Sequence, residues 1–96
     1  MSILTMFEIP GDADELLSIQ DEKMESLIRP LAEKNGSIFN IVVKTENGIM
    51  VVNHWKDEEG MERVAEEVRP QMMAAGMPAP QNWRQYEVVR HRTPND

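Results

Sequence analysis

Residues 37–55 constrain the fold of this chain more than any other stretch. Two runs rich in β-branched residues, Ile38–Lys44 and Ile49–Trp55, flank the pair Asn47-Gly48. An Asn-Gly pair tolerates positive φ at both positions, which is what a two-residue type I′ turn requires. The pattern therefore predicts a β-hairpin that turns at Gly48.

The register implied by that turn pairs Val43 with Val52 and sorts the hairpin side chains onto two faces. One face carries Phe39, Ile41, Val43, Met50, Val52 and His54. The other face carries Ile38, Asn40, Val42, Ile49, Val51, Asn53 and Trp55. Both faces are largely apolar, which is typical of a sheet covered on both sides. A chain this short supplies helices for one side only, so we expect a second copy to cover the other side in a homodimer.

Length and charge limit the classes of protein to which the chain can belong. Its 96 residues suit a single domain, 1–96. Seventeen acidic and ten basic residues give a net charge of −7, which disfavours nucleic acid and anionic membranes as partners. The absence of cysteine excludes disulfides and thiol nucleophiles. No stretch has the length of a membrane span or the pattern of a leader, so we expect a cytoplasmic protein.

The rest of the sequence alternates strand and helix patterns. A strand pattern, Ile3–Ile9, is followed by a helix that begins at an Asp12 cap and ends at Gly36. After the hairpin, a second helix is predicted from an Asp57 cap to Gly76, and a final strand over Trp83–Arg90. Residues 93–96 are expected to form a frayed tail.

The two predicted helices share an internal pattern that indicates a repeated unit. Each contains an Arg-Pro pair, with Pro30 and Pro70 lying six residues before a glycine. Proline cannot donate to the helical ladder, so we expect each helix to break or kink there. Two strand–helix units with right-handed crossovers give the order βαββαβ. The predicted fold is α+β and ferredoxin-like, a four-stranded antiparallel sheet with both helices on one face.

Several of these residues also resemble a known family. The Gly48 turn, the strand Val51–Trp55, the helix start Lys56–Glu59 and the pair Arg69-Pro70 are similar to the dimeric α+β barrel superfamily. Within it, the chain resembles the antibiotic-biosynthesis-monooxygenase-like proteins over nearly its whole length. The resemblance implies two ferredoxin-like subunits packed sheet to sheet, with any ligand cleft between the sheet and the helices of each subunit.

The chain departs from the haem-degrading members of that superfamily, which use a histidine and a tryptophan in the second helix region. Here Met61–Gly76 contains no His, Trp or Tyr. The sequence also lacks a glycine-rich dinucleotide loop and a metal-ligating cluster. We therefore predict neither an organic cofactor nor a metal. His54 and His91 belong to different predicted strands, so we do not expect them to form a two-histidine site.

Five residues are candidates for a site. His54 is the candidate general base, because imidazole titrates near neutral pH, and Asn53 is the candidate hydrogen-bond donor. Neighbouring residues of a strand point to opposite faces, so at most one of them lines a given cleft. Asn40, Trp55 and Met72 are candidate ligand contacts that would orient a carbonyl, stack on a flat ring and supply an adaptable apolar wall. Each has a structural alternative as a satisfied core or interface residue.

Two classes of function remain open from the sequence. The first is a small oxygenase-like enzyme that acts without cofactor on an aromatic or quinol-type molecule. The second is a non-catalytic dimeric module that binds a small apolar ligand or has a structural role. An apolar cleft lined by His54 or Asn53 favours the enzyme, whereas a cleft filled by Met and Trp side chains favours the module.

Overall fold

The computed structural model describes residues 1–95 and contains four strands and two helical stretches. The strands are β1 (Ile3–Pro10), β2 (Ser37–Thr45), β3 (Gly48–Trp55) and β4 (Gln81–Glu87). The helices are α1 (Ala13–Ile19), α2 (Glu25–Lys34) and α3 (Glu58–Ala74), and a π-helical turn, Gln20–Met24, joins α1 to α2.

The strands form one antiparallel sheet in the order β2-β3-β1-β4. The two central strands, β1 and β3, pair along their full length, from Ile3 opposite Trp55 to Pro10 opposite Gly48. Strands β2 and β3 follow one another in the chain and are also neighbours in the sheet, whereas β1 lies between β3 and β4. This is the predicted ferredoxin-like arrangement.

The hairpin has a different turn from the predicted one. Thr45 pairs with Gly48, so the two loop residues are Glu46 and Asn47, and neither has a positive φ. The type I′ prediction is therefore wrong, and Val43 pairs with Met50 rather than with Val52. A shift of two residues preserves the alternation of side chains, so the predicted faces remain correct.

Packing explains why the glycine begins β3 instead of completing the turn. Gly48 has φ +153, and a Cβ at this position would collide with the carbonyl oxygen of Ile9 on β1. The amide of Gly11 donates to the carbonyl of Asn47 over 2.9 Å, so the end of β1 is tied to the hairpin loop. The glycine is needed for this close approach of two backbones.

The first helix begins as predicted, but it does not stay a regular α-helix along its length. Asp12 caps it by accepting a hydrogen bond from the amide of Glu15 at 3.2 Å. The irregularity is the π-helical turn, which ends at Met24, a side chain only 2% exposed. Neither predicted proline break is present, since α2 continues through Pro30 and α3 through Pro70.

The apolar core lies between the helices and one face of the sheet. One cluster joins Ile3 and Trp55 of the sheet to Met24, Met61, Val64 and Val68. A second joins Ile9, Ile49 and Val51 to Leu16 and Met77. We call the opposite sheet face, which carries no helix, the outer face. Its side chains include Leu4, Met6, Glu8, Phe39, Ile41, Val43, Met50, Val52, His54, Arg84 and Tyr86.

The last strand ends at a different residue from the predicted one. The last strand ends at Glu87 rather than Arg90, and residues 88–92 continue without regular structure. Of the tail predicted over 93–96, Asp96 lies outside the described residues. Within residues 1–95, no helix is long and apolar enough to cross a membrane. The cytoplasmic location stays a prediction.

Candidate functional site

A cleft of about 770 Å³ opens between the sheet and the helices. Its sheet wall includes Thr5, Phe7, Asn40, Val51, Asn53 and Trp55. Its helical wall includes Met24, Ile28, Met61, Val64, Val68 and Met72, and the loop Met77–Pro80 borders one side. The volume falls within the range of small-molecule sites. The cleft is therefore open, although Met and Trp side chains contribute to its walls.

Two asparagines form the polar centre of the sheet wall. Asn40 of β2 and Asn53 of β3 stand opposite one another in the antiparallel register. Nδ2 of Asn40 donates to Oδ1 of Asn53 over 2.6 Å. This bond leaves the Nδ2 group of Asn53 and Oδ1 of Asn40 without a partner among the described residues. The pair thus offers a free NH2 group and a free carbonyl oxygen side by side.

The tryptophan predicted as a ligand contact lies at the base of this wall. Trp55 is 6% exposed, and its indole Nε1 donates to Oγ1 of Thr5 over 3.3 Å. Thr5 is fully buried, so the bond satisfies a hydroxyl that could not otherwise reach water. Trp55 consequently combines a core role with a cleft-lining one.

Methionines supply much of the apolar lining. Met72, the predicted contact, lines the cleft together with Met61, Met73 and Met77. A thioether side chain is unbranched and polarisable, so it adapts to ligands of different outline. Met73 is 73% exposed and lies at the rim, whereas Met61 and Met77 are buried.

Charged side chains also border the cleft. Arg29 and Arg69 line it, as do the carboxylates of Glu25 and Glu33. Nε of Arg29 lies 3.3 Å from Oε1 of Glu25, an exposed pair one helical turn apart. Because these groups balance in charge, the lining selects neither cations nor anions strongly.

Sequence reasoning missed part of the sheet wall. Phe7 lines the cleft and stacks on Trp83, with ring centroids 5.6 Å apart and planes inclined by 12°. Thr5 and Phe7 could have been found, because alternate residues of a strand share a face and both alternate with the buried Ile3 and Ile9. The stacked pair could not, since it depends on the pairing of β1 with β4.

Of the two catalytic candidates, Asn53 lines the cleft and His54 does not. His54 lies on the outer face, in a second concavity of about 480 Å³ lined also by Leu4, Phe39, Tyr86 and His91. The expectation that His54 and His91 lie apart is wrong, because their Nδ1 atoms are 2.7 Å apart. Residues 88–92 fold back across the sheet and bring His91 to β3.

His54 is in an unusual environment for an ionisable group. It is 3% exposed, and its Nε2 atom is buried without a hydrogen-bond partner. Burial lowers the pKa of His54 below the ordinary histidine range, and the neighbouring His91 lowers it further. His54 is therefore neutral near pH 7. Among the described residues, no three His, Asp or Glu side chains are grouped so that they could hold a metal ion.

No protein-family model matches the chain, and no curated protein matches its sequence. Solved structures do match it. A protein from Chloroflexus aurantiacus J-10-fl, provisionally named an antibiotic biosynthesis monooxygenase, superimposes with a TM-score of 0.68 at 14% identity over 97% of this chain and 98% of that one. SnoaB, a cofactor-independent oxygenase from Streptomyces nogalater, gives a TM-score of 0.60 at 13% identity, over 97% of this chain and 95% of that one.

A dimeric ferredoxin-like protein from an uncultured marine organism gives a TM-score of 0.64 at 15% identity, over 94% of this chain and 92% of that one. At such identities the likeness shows the fold alone. The chain has the ferredoxin-like fold of antibiotic-biosynthesis-monooxygenase-like proteins.

Proposed function

We propose that this chain is a monooxygenase-like enzyme that oxidises an aromatic or quinol-type molecule in the cleft without a cofactor. The observation that carries the proposal is the amide pair of Asn40 and Asn53 on the wall of an open, mainly apolar cleft. Apolar walls with a few convergent polar groups are typical of small-molecule sites. The fold likeness to SnoaB, described as a cofactor-independent oxygenase, adds support.

The amide pair suits a ligand with a carbonyl beside a hydroxyl. The free Nδ2 group of Asn53 can donate to the carbonyl, and Oδ1 of Asn40 can accept from the hydroxyl. Ring systems of this kind are flat and apolar apart from one polar edge. The aromatic and methionine side chains of the cleft would contact the flat remainder.

The reaction balances with dioxygen as the sole co-reactant. A methylene group of an anthrone-type ring becomes a carbonyl, so the substrate gives up four electrons. One oxygen atom enters the product and the other leaves as water together with the two methylene hydrogens. The contribution of the cleft would be desolvation of the substrate and orientation of its ionisable hydroxyl by Asn40 and Asn53.

One observation favours the second candidate, a non-catalytic ligand-binding module. The described cleft lining contains no histidine, and its carboxylates, Glu25 and Glu33, belong to α2 rather than to the sheet wall that carries the amides. His54, the predicted base, faces the other side of the sheet. An enzyme built this way would rely on the acidity of the substrate itself.

The functional unit in this proposal is a homodimer formed through the outer face. Ile41 and Val43 of that face are 50% and 37% exposed in the single chain. A second copy packed sheet to sheet would cover them. The dimeric ferredoxin-like protein from the marine organism shows that this fold can be part of a dimer.

The test uses 1,8-dihydroxyanthrone as a probe, because its carbonyl stands beside hydroxyl groups, and measures oxygen uptake and formation of the anthraquinone together. We expect one dioxygen consumed per anthraquinone formed above the rate without protein, and a loss of about tenfold or more in Asn53→Leu. Asn47→Leu, at an exposed loop position outside the cleft, is the matched control. Stoichiometric binding of this probe without oxygen uptake would support the module instead. No binding at all would overturn both candidates.

A further inference from the structure

The C-terminal segment, residues 88–92, lies across the outer face and makes hydrogen bonds through Val88 and His91. The amide of Val88 donates to the carbonyl of Ser2 over 2.9 Å, directly after β4 ends. Three residues later, Nδ1 of His91 meets Nδ1 of His54 at 2.7 Å. Between these points Val89 is 89% exposed, so burial of its side chain does not hold the segment.

The two imidazoles face each other through their nitrogen atoms. Their ring centroids are 4.8 Å apart, the planes are inclined by 24°, and Phe39 contacts both rings edge-on with centroids at 5.6 and 5.4 Å. An Nδ1 pair at this separation is a hydrogen bond in which one nitrogen carries the proton and the other supplies the lone pair. The contact therefore requires at least one neutral imidazole.

Two protonated imidazoles cannot keep this contact. Both Nδ1 atoms would then carry a hydrogen, no acceptor would remain, and two positive charges would stand at hydrogen-bond distance. His91 is exposed in the single chain and can move away from the sheet, whereas His54 is held in the central strand. Separation would therefore displace the segment and leave the sheet in place.

We propose that His54 and His91 form a pH-operated latch that holds the C-terminal segment across the outer face and releases it on acidification. This device is independent of the proposed oxidation in the cleft, which lies on the other side of the sheet. Release would uncover Leu4, Phe39 and His54 on the outer face of each chain, the face through which the proposed homodimer forms.

The surrounding charges set where the latch opens. Arg90 and Arg92 of the segment line the same concavity and oppose a second positive charge on the pair, while Glu87 of β4 favours it. Tyr86 is the remaining titratable group of the lining. Leu4 of β1 and Phe39 of β2 carry no charge. Burial, which lowers the pKa of His54, also moves opening to a more acidic pH.

The test uses backbone NMR to measure how rigidly the C-terminal segment is held. We expect residues 89–92 to have heteronuclear NOE values close to those of β4 at about pH 7.5, and to fall to those of a free chain end at about pH 5. Signals of β1 and β3 serve as the internal check that the fold is retained. The chain has two histidines, so the imidazole signals of both can be followed without ambiguity.

Two variants make the test decisive. His91→Gln should release the segment already at about pH 7.5, and this outcome does not depend on the protein surviving acid. Val89→Thr, at a neighbouring uncharged position that is 89% exposed, should behave as the natural chain does. A segment that stays ordered at both pH values, or that is equally ordered with and without His91, would overturn the latch.

Discussion

Asn40 and Asn53, thirteen residues apart in the chain, face each other across the β2–β3 pair and are joined by a 2.6 Å hydrogen bond between their side-chain amides. Asn40 is exposed and Asn53 half-buried. Two amides in such a position are solvated in the absence of a ligand, so the bond between them replaces hydrogen bonds to water. Its importance should lie in binding more than in stability.

The amide pair should therefore contribute little to folding. A double-mutant cycle with Asn40→Ala and Asn53→Ala should give a coupling free energy of unfolding below about 1 kcal/mol. Urea denaturation of the natural chain, the two single variants and the double variant measures it. A coupling of several kcal/mol would show that the pair is a structural element of the sheet instead.

Gly48 should be far less tolerant of a side chain than another glycine with positive φ. Gly48→Ala places a methyl group against the carbonyl of Ile9, so we expect a loss of about 2–4 kcal/mol in the free energy of unfolding. Gly76 has φ +89 but open space around it, and Gly76→Ala should cost about 1 kcal/mol. Equal losses in the two variants would mean that conformation, and not the close approach to β1, decides the residue at position 48.

Stability should fall on mild acidification because of His54. Its pKa is lowered in the folded state, chiefly by burial, so the unfolded chain binds the proton more readily. Above about pH 6.5 the proton equilibrium of His54 costs the folded chain no stability. As the pH falls from there towards the folded pKa, the free energy of unfolding decreases by no more than about 1.4 kcal/mol per pH unit. Urea denaturation between about pH 7.5 and 5.5 measures it. His54→Gln should flatten the dependence, and an unchanged slope in that variant would contradict the assignment.

Dimer formation can be tested with two isoleucines on one strand. Ile41 and Ile38 of β2 are 50% and 49% exposed, but Ile41 lies on the outer face and Ile38 on the helix side. We expect the natural chain to sediment as a dimer at micromolar concentration, Ile41→Glu to be monomeric, and Ile38→Glu to remain dimeric. A natural chain that is monomeric with native circular dichroism would refute the homodimer.

The prediction that the protein holds no cofactor is tested on the purified protein and by adding haem to it. The protein should show no flavin or haem absorbance and no stoichiometric metal, and a haem titration should not saturate at one haem per chain. The reason is the absence of histidine from the described cleft lining, which leaves haem iron without an imidazole ligand there. Stoichiometric haem binding with an ordered axial ligand would return the protein to the cofactor-dependent class.

The architecture was predictable from local patterns because those patterns carry the physical constraint directly. The capping carboxylates of Asp12 and Asp57 both accept from a backbone amide at a helix start, as their spacing indicates. Alternation of side chains survives a register shift of two residues, so the two faces of the hairpin, and with them the placement of Asn53 and His54 on opposite sides, could be read from the sequence.

Tertiary packing decided what local patterns leave open. The position of Gly48 depends on the approach of β1, and the helices continue through Pro30 and Pro70 because packing of their apolar faces outweighs the local preference for a break. The contact of His54 with His91 spans thirty-seven residues and depends on where an irregular segment folds after β4. The sequence alone thus determined the order of elements and the face of each strand residue, since these follow from short-range periodicity. Turn register, the cleft and the histidine pair required the folded chain, because each is formed by backbones and side chains that meet only across the sheet.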